Sequence, residues 1–399
     1  MLSFEQALDT VKEKVSVCPE PGREFVPLTD AGGRVLAEDV LADRDYPPFH
    51  RSIRDGYALR AGDVAAPPAN LKVRGEIAAG GHYAGTVEAG ECVAIMTGAP
   101  LPEGADAVVM VEYTESEGDA ITIKRSVQPS ENVVRQGSEA RAGACVLSRG
   151  RRLDAAELGL LASVGKSAVQ VFARPRVAIL PTGDEVVPVE RLPEQFQIRN
   201  SNSISLRAQV TAAGGIACPL EIAPDRPEAL RGLIEAGFGF DLLLLTGGVS
   251  AGKYDFVEQV LADLGAEFYF QSVALRPGKP LVFGRAAGKL FFGLPGNPVS
   301  TYVNFMLLVR PALAVMSGAP FAPPIFLRAR LAKPVQQPIG LTAVFPAQVD
   351  YVSGDPWVSR VAWQGSGDLV GVAAANCFMI MHPGQPSPVA GEWVDVILK

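Results

Sequence analysis

The stretch Asp241-Leu-Leu-Leu-Leu-Thr-Gly-Gly-Val-Ser-Ala-Gly-Lys-Tyr-Asp255 constrains this chain more than any other. Four consecutive leucines bounded by turn residues read as a strand buried on both faces, the kind found in parallel sheets. The strand runs into glycines, a hydroxyl residue and then a helical pattern. Lys289-Leu-Phe-Phe-Gly-Leu-Pro-Gly-Asn-Pro-Val-Ser300 repeats the plan. Glycine lets backbone N–H groups approach a ligand closely. A helix start offers unpaired N–H groups and a partial positive charge. Arg276-Pro-Gly-Lys279 lies between the two stretches and adds two cations. The combination suits a multiply charged oxyanion and not an apolar ligand.

Around these turns the pattern alternates. Residues 177–180, 242–245, 280–283 and 290–294 read as strands. Residues 202–213, 225–236, 255–264 and 298–316 read as helices, two of them opened by capping-box pairs, Asp225 with Glu228 and Asp255 with Glu258. Such alternation predicts an open α/β domain, whose ligands bind at the carboxyl ends of the strands. Residues 3–15 predict a short helix. Residues 24–150 carry short Val-rich runs between Gly and Pro, the mark of a small all-β module. Asp154-Ala-Ala-Glu157 opens a helix that Gly165 closes. Beyond Pro320, Pro323 and Pro324, residues 325–399 read as a second β module.

Bulk properties narrow the function. A chain of 399 residues holds about two to four domains. Its net charge of −7 argues against broad nucleic-acid binding, which needs a basic face. An acidic protein that binds an anion must gather its cations locally or recruit a metal. No apolar run reaches the roughly 20 residues of a membrane span, and the N-terminus lacks a signal-peptide core. The five cysteines form no Cys-x-x-Cys pair and the three histidines do not cluster, which argues against disulfides and zinc. The expected compartment is the cytosol.

Several constellations keep two readings each. Gly247-Gly-Val-Ser-Ala-Gly-Lys253 fits the phosphate-loop spacing, but Tyr254 stands where Ser or Thr would hold Mg²⁺. An anion-binding turn containing Ser250 is favoured over a nucleotide phosphotransferase. Asn297-Pro298 is an ordinary helix start, and Ser300 in its first turn is placed to join an anion site. Asp225 and Asp255 are either N-caps or ligands of Mg²⁺, which takes few carboxylates plus phosphate oxygens. Asp184 and Glu185 are either a solvated turn or a cation site. Their mutual repulsion is about 4 kcal/mol at ~4 Å in a surface-like dielectric. Asp55, within Ser52-Ile-Arg-Asp-Gly-Tyr-Ala58, is an acid in a β-module loop that must reach the α/β domain from elsewhere if it is functional.

Taken together, seven segments resemble the MoeA family, the molybdopterin molybdenumtransferases, which include the E domain of gephyrin. They are Ser52-Ile-Arg-Asp-Gly-Tyr-Ala58, Thr97-Gly-Ala-Pro-Leu-Pro-Glu-Gly-Ala-Asp106, Pro181-Thr-Gly-Asp-Glu185, Asn200-Ser-Asn202, Thr246-Gly-Gly-Val-Ser-Ala-Gly252, Arg276-Pro-Gly-Lys-Pro280 and Gly293-Leu-Pro-Gly-Asn-Pro-Val-Ser300. The resemblance implies an elongated, four-domain subunit that forms a homodimer. Residues 1–44 and 141–174 would form a discontinuous helical domain, and 45–140 an inserted β-rich one. Residues 175–320 would form an open α/β domain like the molybdopterin-adenylating proteins, and 321–399 a β-barrel-like domain.

It also implies the reaction of adenylylated molybdopterin with molybdate to give molybdenum cofactor and AMP, with Mg²⁺. A molybdopterin-adenylating protein is an implied partner; no nucleic acid or membrane is. Asp55, from a neighbouring subunit, with Asp184, Glu185, Asp225 and Asp255, would be catalytic, the last four holding the metal. Thr97, Gly247, Gly248, Ser250, Gly252, Pro295, Gly296 and Asn297 would bind substrate. Arg276, Lys279, Pro280, Ser300 and Ser366 would cradle molybdate. Arg276 stands where the family has lysine, and Gly137-Ser-Glu139 where it has Gly-Glu-Asp. Ala347 stands where it often has arginine, with Arg360 as the candidate replacement. That last departure motivates the alternative of a non-catalytic dimeric scaffold.

Overall fold

The computed structural model describes residues 1–249, 256–336 and 340–399. Ser250, Gly252 and Asp255 therefore lie outside the described residues. Contacts divide the chain into two compact units. One comprises Met1–Val26, Gly33–Ala37 and Gln170–Lys399; the other comprises Pro27–Gly32 and Glu38–Val169.

In the first unit, α1 (Phe4–Ser16) begins at a capping box in which Ser3 Oγ accepts from the Gln6 N–H and Gln6 Oε1 from the Ser3 N–H. Its buried stripe, Ala7, Val11 and Val15, follows helical spacing. The α/β alternation then builds β1 (Arg176–Pro181), α2 (Ser201–Ala212), β2 (Ile216–Pro219), α3 (Pro227–Gly237), β3 (Leu242–Thr246), α4 (Phe256–Asp263), β4 (Glu267–Ser272), β5 (Pro280–Ala286), β6 (Lys289–Leu294) and α5 (Pro298–Met316). The sheet order is β2-β1-β3-β6-β5-β4. The first four strands are parallel, and β5 and β4 run antiparallel to their neighbours.

Side chains alternate across this sheet as the two-residue period requires. Val177, Ile179, Leu242, Leu244 and Phe292 share a core with α1, α2 and α5. Ala178, Leu180, Leu243, Leu245 and Phe291 share one with α3 and α4. Phe292 and Phe283 stack at 4.4 Å, both fully buried. Emptying either position costs about 3–5 kcal/mol. After β1 the chain turns to β2 on one side, and after β2 it crosses to β3 on the other. The ends of β1 and β3 thus open a crevice at the reversal of strand order.

Two helix starts differ from expectation. Asp225 makes no capping box: α3 starts two residues later with Pro227 in its first turn, and its N-cap residue Arg226 makes no side-chain cap. Asn297 is the N-cap of α5, yet its side chain makes no cap bond either. α5 is also long and apolar enough to cross a membrane, against the expectation of no such run. Of its apolar 18-residue stretch 72% is buried, and with a π-helical segment at Phe305–Val309 it is a core helix.

The C-terminal strands β7 (Leu327–Leu331), β8 (Thr342–Val352), β9 (Asp355–Arg360), β10 (Cys377–Met381) and β11 (Trp393–Leu398) close on themselves in the order β8-β9-β7-β11-β10-β8. This is a five-stranded barrel, as the β-barrel-like reading requires. A short helix absent from the sequence reading, α6 (Leu369–Ala374), joins β9 to β10.

The second unit is built on a six-stranded sheet whose central strands are Gly56–Leu59, Glu91–Ile95 and Ala69–Ile77. Gly56 admits no side chain, since a Cβ there would fall 1.9 Å from the Val109 carbonyl oxygen. The helix Ala155–Ser163 starts at the capping box of Asp154 and Glu157 that the sequence predicts. All five cysteines are free thiols.

Candidate active site

Three strand ends of the first unit meet above the crevice. The Thr182 N–H donates to the Thr246 carbonyl at 2.9 Å, and the Gly247 N–H to the Leu294 carbonyl at 3.1 Å. These bonds tie the corners after β1, β3 and β6 together. Gly247 has a φ of +93°, and a Cβ on it would lie 2.7 Å from Thr182 O. Only glycine brings the corners this close. A cleft of about 1100 Å³ opens at this junction.

Glu185, Asp225, Gly247, Gly248, Pro295, Gly296, Asn297, Arg276, Lys279, Pro280, Ser300 and Ser366 all line it. Asp184 stands beside them. Its N–H donates to Asp225 Oδ2 at 3.3 Å, while its Oδ1 accepts from the Asp225 N–H at 3.1 Å. This crossed pair explains why Asp225 is not a cap: its carboxylate turns back to the β1 corner. Glu185 folds over Gly183, whose Cβ would meet Glu185 Oε2 at 2.5 Å.

The wall carrying Arg276 and Lys279 is fixed to the barrel by parallel pairing of Leu275–Arg276 with Thr342–Ala343. Ser366 is held to the start of α5, where the Val299 N–H donates to its carbonyl at 3.0 Å. Asp368 orders the same loop by accepting from the Gln364 and Gly371 N–H groups, at 2.8 and 3.0 Å. Donation from Gly371 and then Gln364 holds its carboxyl below the usual aspartate range.

Several lining residues had no assigned role in the sequence reading, among them Arg199, Asn202 and Trp363. Asn202 donates from Nδ2 to the Gly296 carbonyl at 2.8 Å, steadying the β6 corner from α2. Trp363 is the single aromatic side chain among the described lining residues, packed edge-on against Phe345. Asn202 had a signal, its place in Asn200-Ser-Asn202; Trp363 had none.

Asp55 and Thr97 belong to the second unit. There the Thr97 N–H and Oγ1 donate to Asp55 Oδ1 at 2.7 and 2.8 Å, which lowers the Asp55 carboxyl pKa. Arg360 does not line the cleft. It pairs directly across from Ala347 in the barrel wall and lies over the Phe345 ring at 4.2 Å.

The carboxylates fit a sparsely held divalent cation. Among the described residues no three metal-ligating side chains cluster. Glu185 and Asp225 share one cleft with the cationic side chains of Arg199, Arg276 and Lys279. Mg²⁺ is usually held that way, by one or two carboxylates with the rest of its shell from phosphate oxygens and water.

The sequence similarities decide the family. The model described as MoeA N-terminal region (domain I and II) matches residues 2–165. That of a probable molybdopterin binding domain matches 178–315, and that of the MoeA C-terminal region (domain IV) matches 328–399. The molybdopterin molybdenumtransferase of Bacillus subtilis (strain 168) is 36% identical over 388 residues, covering 94% of this chain and 89% of the relative. The chain belongs to the MoeA family. Another member with the same name, from Staphylococcus epidermidis (strain ATCC 12228 / FDA PCI 1200), is 34% identical over 376 residues, covering 93% of this chain and 90% of its own. The crystal structure of the molybdopterin biosynthesis moeA protein from Pyrococcus horikoshii OT3 superposes with a TM-score of 0.81 at 28% identity, over 100% of both chains. Membership of the MoeA family places the chain in molybdenum cofactor biosynthesis.

Proposed function

We propose that this MoeA-family chain transfers molybdenum from molybdate to adenylylated molybdopterin, releasing AMP and molybdenum cofactor. The observation that carries this reading is one cleft that joins three glycine-bearing corners, a helix start, three cationic side chains and the carboxylates of Glu185 and Asp225. Both substrates are anions that repel each other. A site for both must supply fixed positive ends, and these residues do.

The backbone corners at Gly247, Gly248 and Gly296 receive the pterin phosphate. Arg276 and Lys279 bind the molybdate oxygens, with the Ser300 and Ser366 hydroxyls donating to the same anion. Glu185 and Asp225, braced by Asp184, would hold Mg²⁺, which supplies charge screening for the departing phosphate. The chain itself needs no covalent nucleophile, because holding the anions together supplies the catalysis. The same reading makes the protein a cytosolic homodimer in which Asp55 serves the other copy's cleft.

The test is direct. Purified protein, adenylylated molybdopterin and Mg²⁺ should release AMP when molybdate is added. No molybdate-dependent release from a well-folded dimer would leave the scaffold reading in its place.

A further inference from the structure

α5 carries a polar side chain that the proposed chemistry does not use. Asn304 lies four residues after Ser300, so the two share a helix face. It is fully buried in an otherwise apolar stretch from Val303 to Val309. Its Nδ2 donates to the Gly278 carbonyl at 3.2 Å, and its Oδ1 has no hydrogen-bond partner. A buried amide with an orphaned acceptor is a cost that an apolar side chain of the same shape avoids.

The position accounts for that cost. Gly278 is the centre of the Arg276–Lys279 loop and has a φ of +111°. A Cβ on it would lie 2.6 Å from Asn304 Oδ1, so the amide occupies the space that a side chain at 278 would need. Pro277 and Gly278 are buried, whereas Arg276 and Lys279 on either side are exposed and line the cleft. The other ties of the loop are at its two ends. Leu275–Arg276 pairs with β8, and the Lys279 carbonyl accepts from the Val273 N–H at 3.0 Å. Among the described residues, Asn304 makes the one side-chain hydrogen bond to the backbone of this loop.

We propose that Asn304 is a positioning residue that pins the loop at Gly278, so that Arg276 and Lys279 converge on one tetrahedral oxyanion. It acts through the loop and touches no substrate. The proposal rests on the molybdate reading above.

Asn304→Leu keeps the branched shape of the side chain and removes the donor. It should raise KM for molybdate about tenfold, the equivalent of one modest hydrogen bond. The kcat at saturating molybdate and the affinity for adenylylated molybdopterin should hold. Amide hydrogen exchange across residues 273–280 should quicken, a readout that needs no turnover. An unchanged KM for molybdate in a variant that turns over would overturn the proposal. A rise in KM for both substrates with a falling Tm would make Asn304 a plain core residue. Unchanged exchange in the loop would remove the tether whatever the kinetics. If the wild-type protein itself releases no AMP with molybdate, the functional reading fails instead, and the exchange measurement still decides the tether.

Discussion

Replacing Gly247 by alanine tests whether the three corners must touch. Its φ of +93° lies in the left-handed region, which costs an L side chain about 1–2 kcal/mol. The new Cβ would meet Thr182 O at 2.7 Å and Thr182 Oγ1 at 2.8 Å. The first of these is backbone, and the Thr182 N–H is already bound to Thr246 O at 2.9 Å, so the corner cannot swing aside. Relieving such overpacking costs a further ~1–3 kcal/mol. Together these give about 2–5 kcal/mol. At roughly 2–4 °C per kcal/mol for a unit of this size, Tm should fall by about 4–20 °C. Turnover should fall more than stability, because Gly183, Asp184 and Glu185 follow directly from the displaced corner. Gly288→Ala is the control: its φ is +75°, but nothing lies within 4 Å of the new Cβ. It should lose only the first ~1–2 kcal/mol and keep its activity. Thermal melts and AMP release on the two variants make the comparison. If Gly247→Ala melts and turns over as Gly288→Ala does, the corners have slack and the reasoning is wrong.

Asp225→Asn keeps an acceptor for the Asp184 N–H but removes the charge, so Tm should move by no more than about 2 °C while Mg²⁺-dependent AMP release is lost; retained turnover would return Asp225 to a structural role. Lys279→Ala should raise KM for molybdate about tenfold and leave pterin binding unchanged, and equal loss of both would refute its assignment. Mixing inactive Asp55→Ala and Asp225→Ala proteins should restore part of the activity if each cleft draws on the other copy's Asp55; two proteins that stay inactive after subunit exchange would deny that arrangement. Asp368 has a folded pKa below its unfolded one, so its contribution to stability is complete above the ordinary aspartate pKa and is lost as pH falls through the depressed value. Asp368→Ala should therefore flatten the acid limb of the Tm–pH curve, and an unaltered slope would show that the capped loop contributes nothing.

What the sequence disclosed follows from locality. The parallel strands were legible because Leu242–Leu245 is apolar on both faces and bounded by turn residues. The capping box of Asp154 and Glu157 was legible because both partners lie within one helical turn. The same four-residue pattern misled at Asp225 and Glu228. Nothing local distinguishes a carboxylate that bonds its own helix from one that bonds residue 184, 41 positions away. α5 also escaped the hydropathy reading, since Ser300, Thr301, Asn304 and Arg310 interrupt an apolar run that is continuous only as a helix. The closure of the barrel required β8 to pair with both β9 and β10, a long-range fact with no trace in the alternation of residues.

The positions whose part in the site the sequence did not disclose share a physical cause, and it bears on how this site is built. Asp225, Asn202 and Asn304 each use a polar side chain on one element to hold the backbone of another at a cleft corner. The corners they hold carry glycines, at Gly183, Gly296 and Gly278, and at Gly278 a side chain would need the very space that the Asn304 amide occupies. Glycine permits the corner but leaves it soft, since it has more conformational freedom to lose than any other residue. A side-chain bond from a neighbouring helix or loop supplies the stiffness that the glycine lacks. Oxyanion sites need both properties, because their N–H groups and cations stabilise charge only when already aimed. The glycines can be seen in the sequence; the residues that stiffen them emerge only once the fold brings distant segments together.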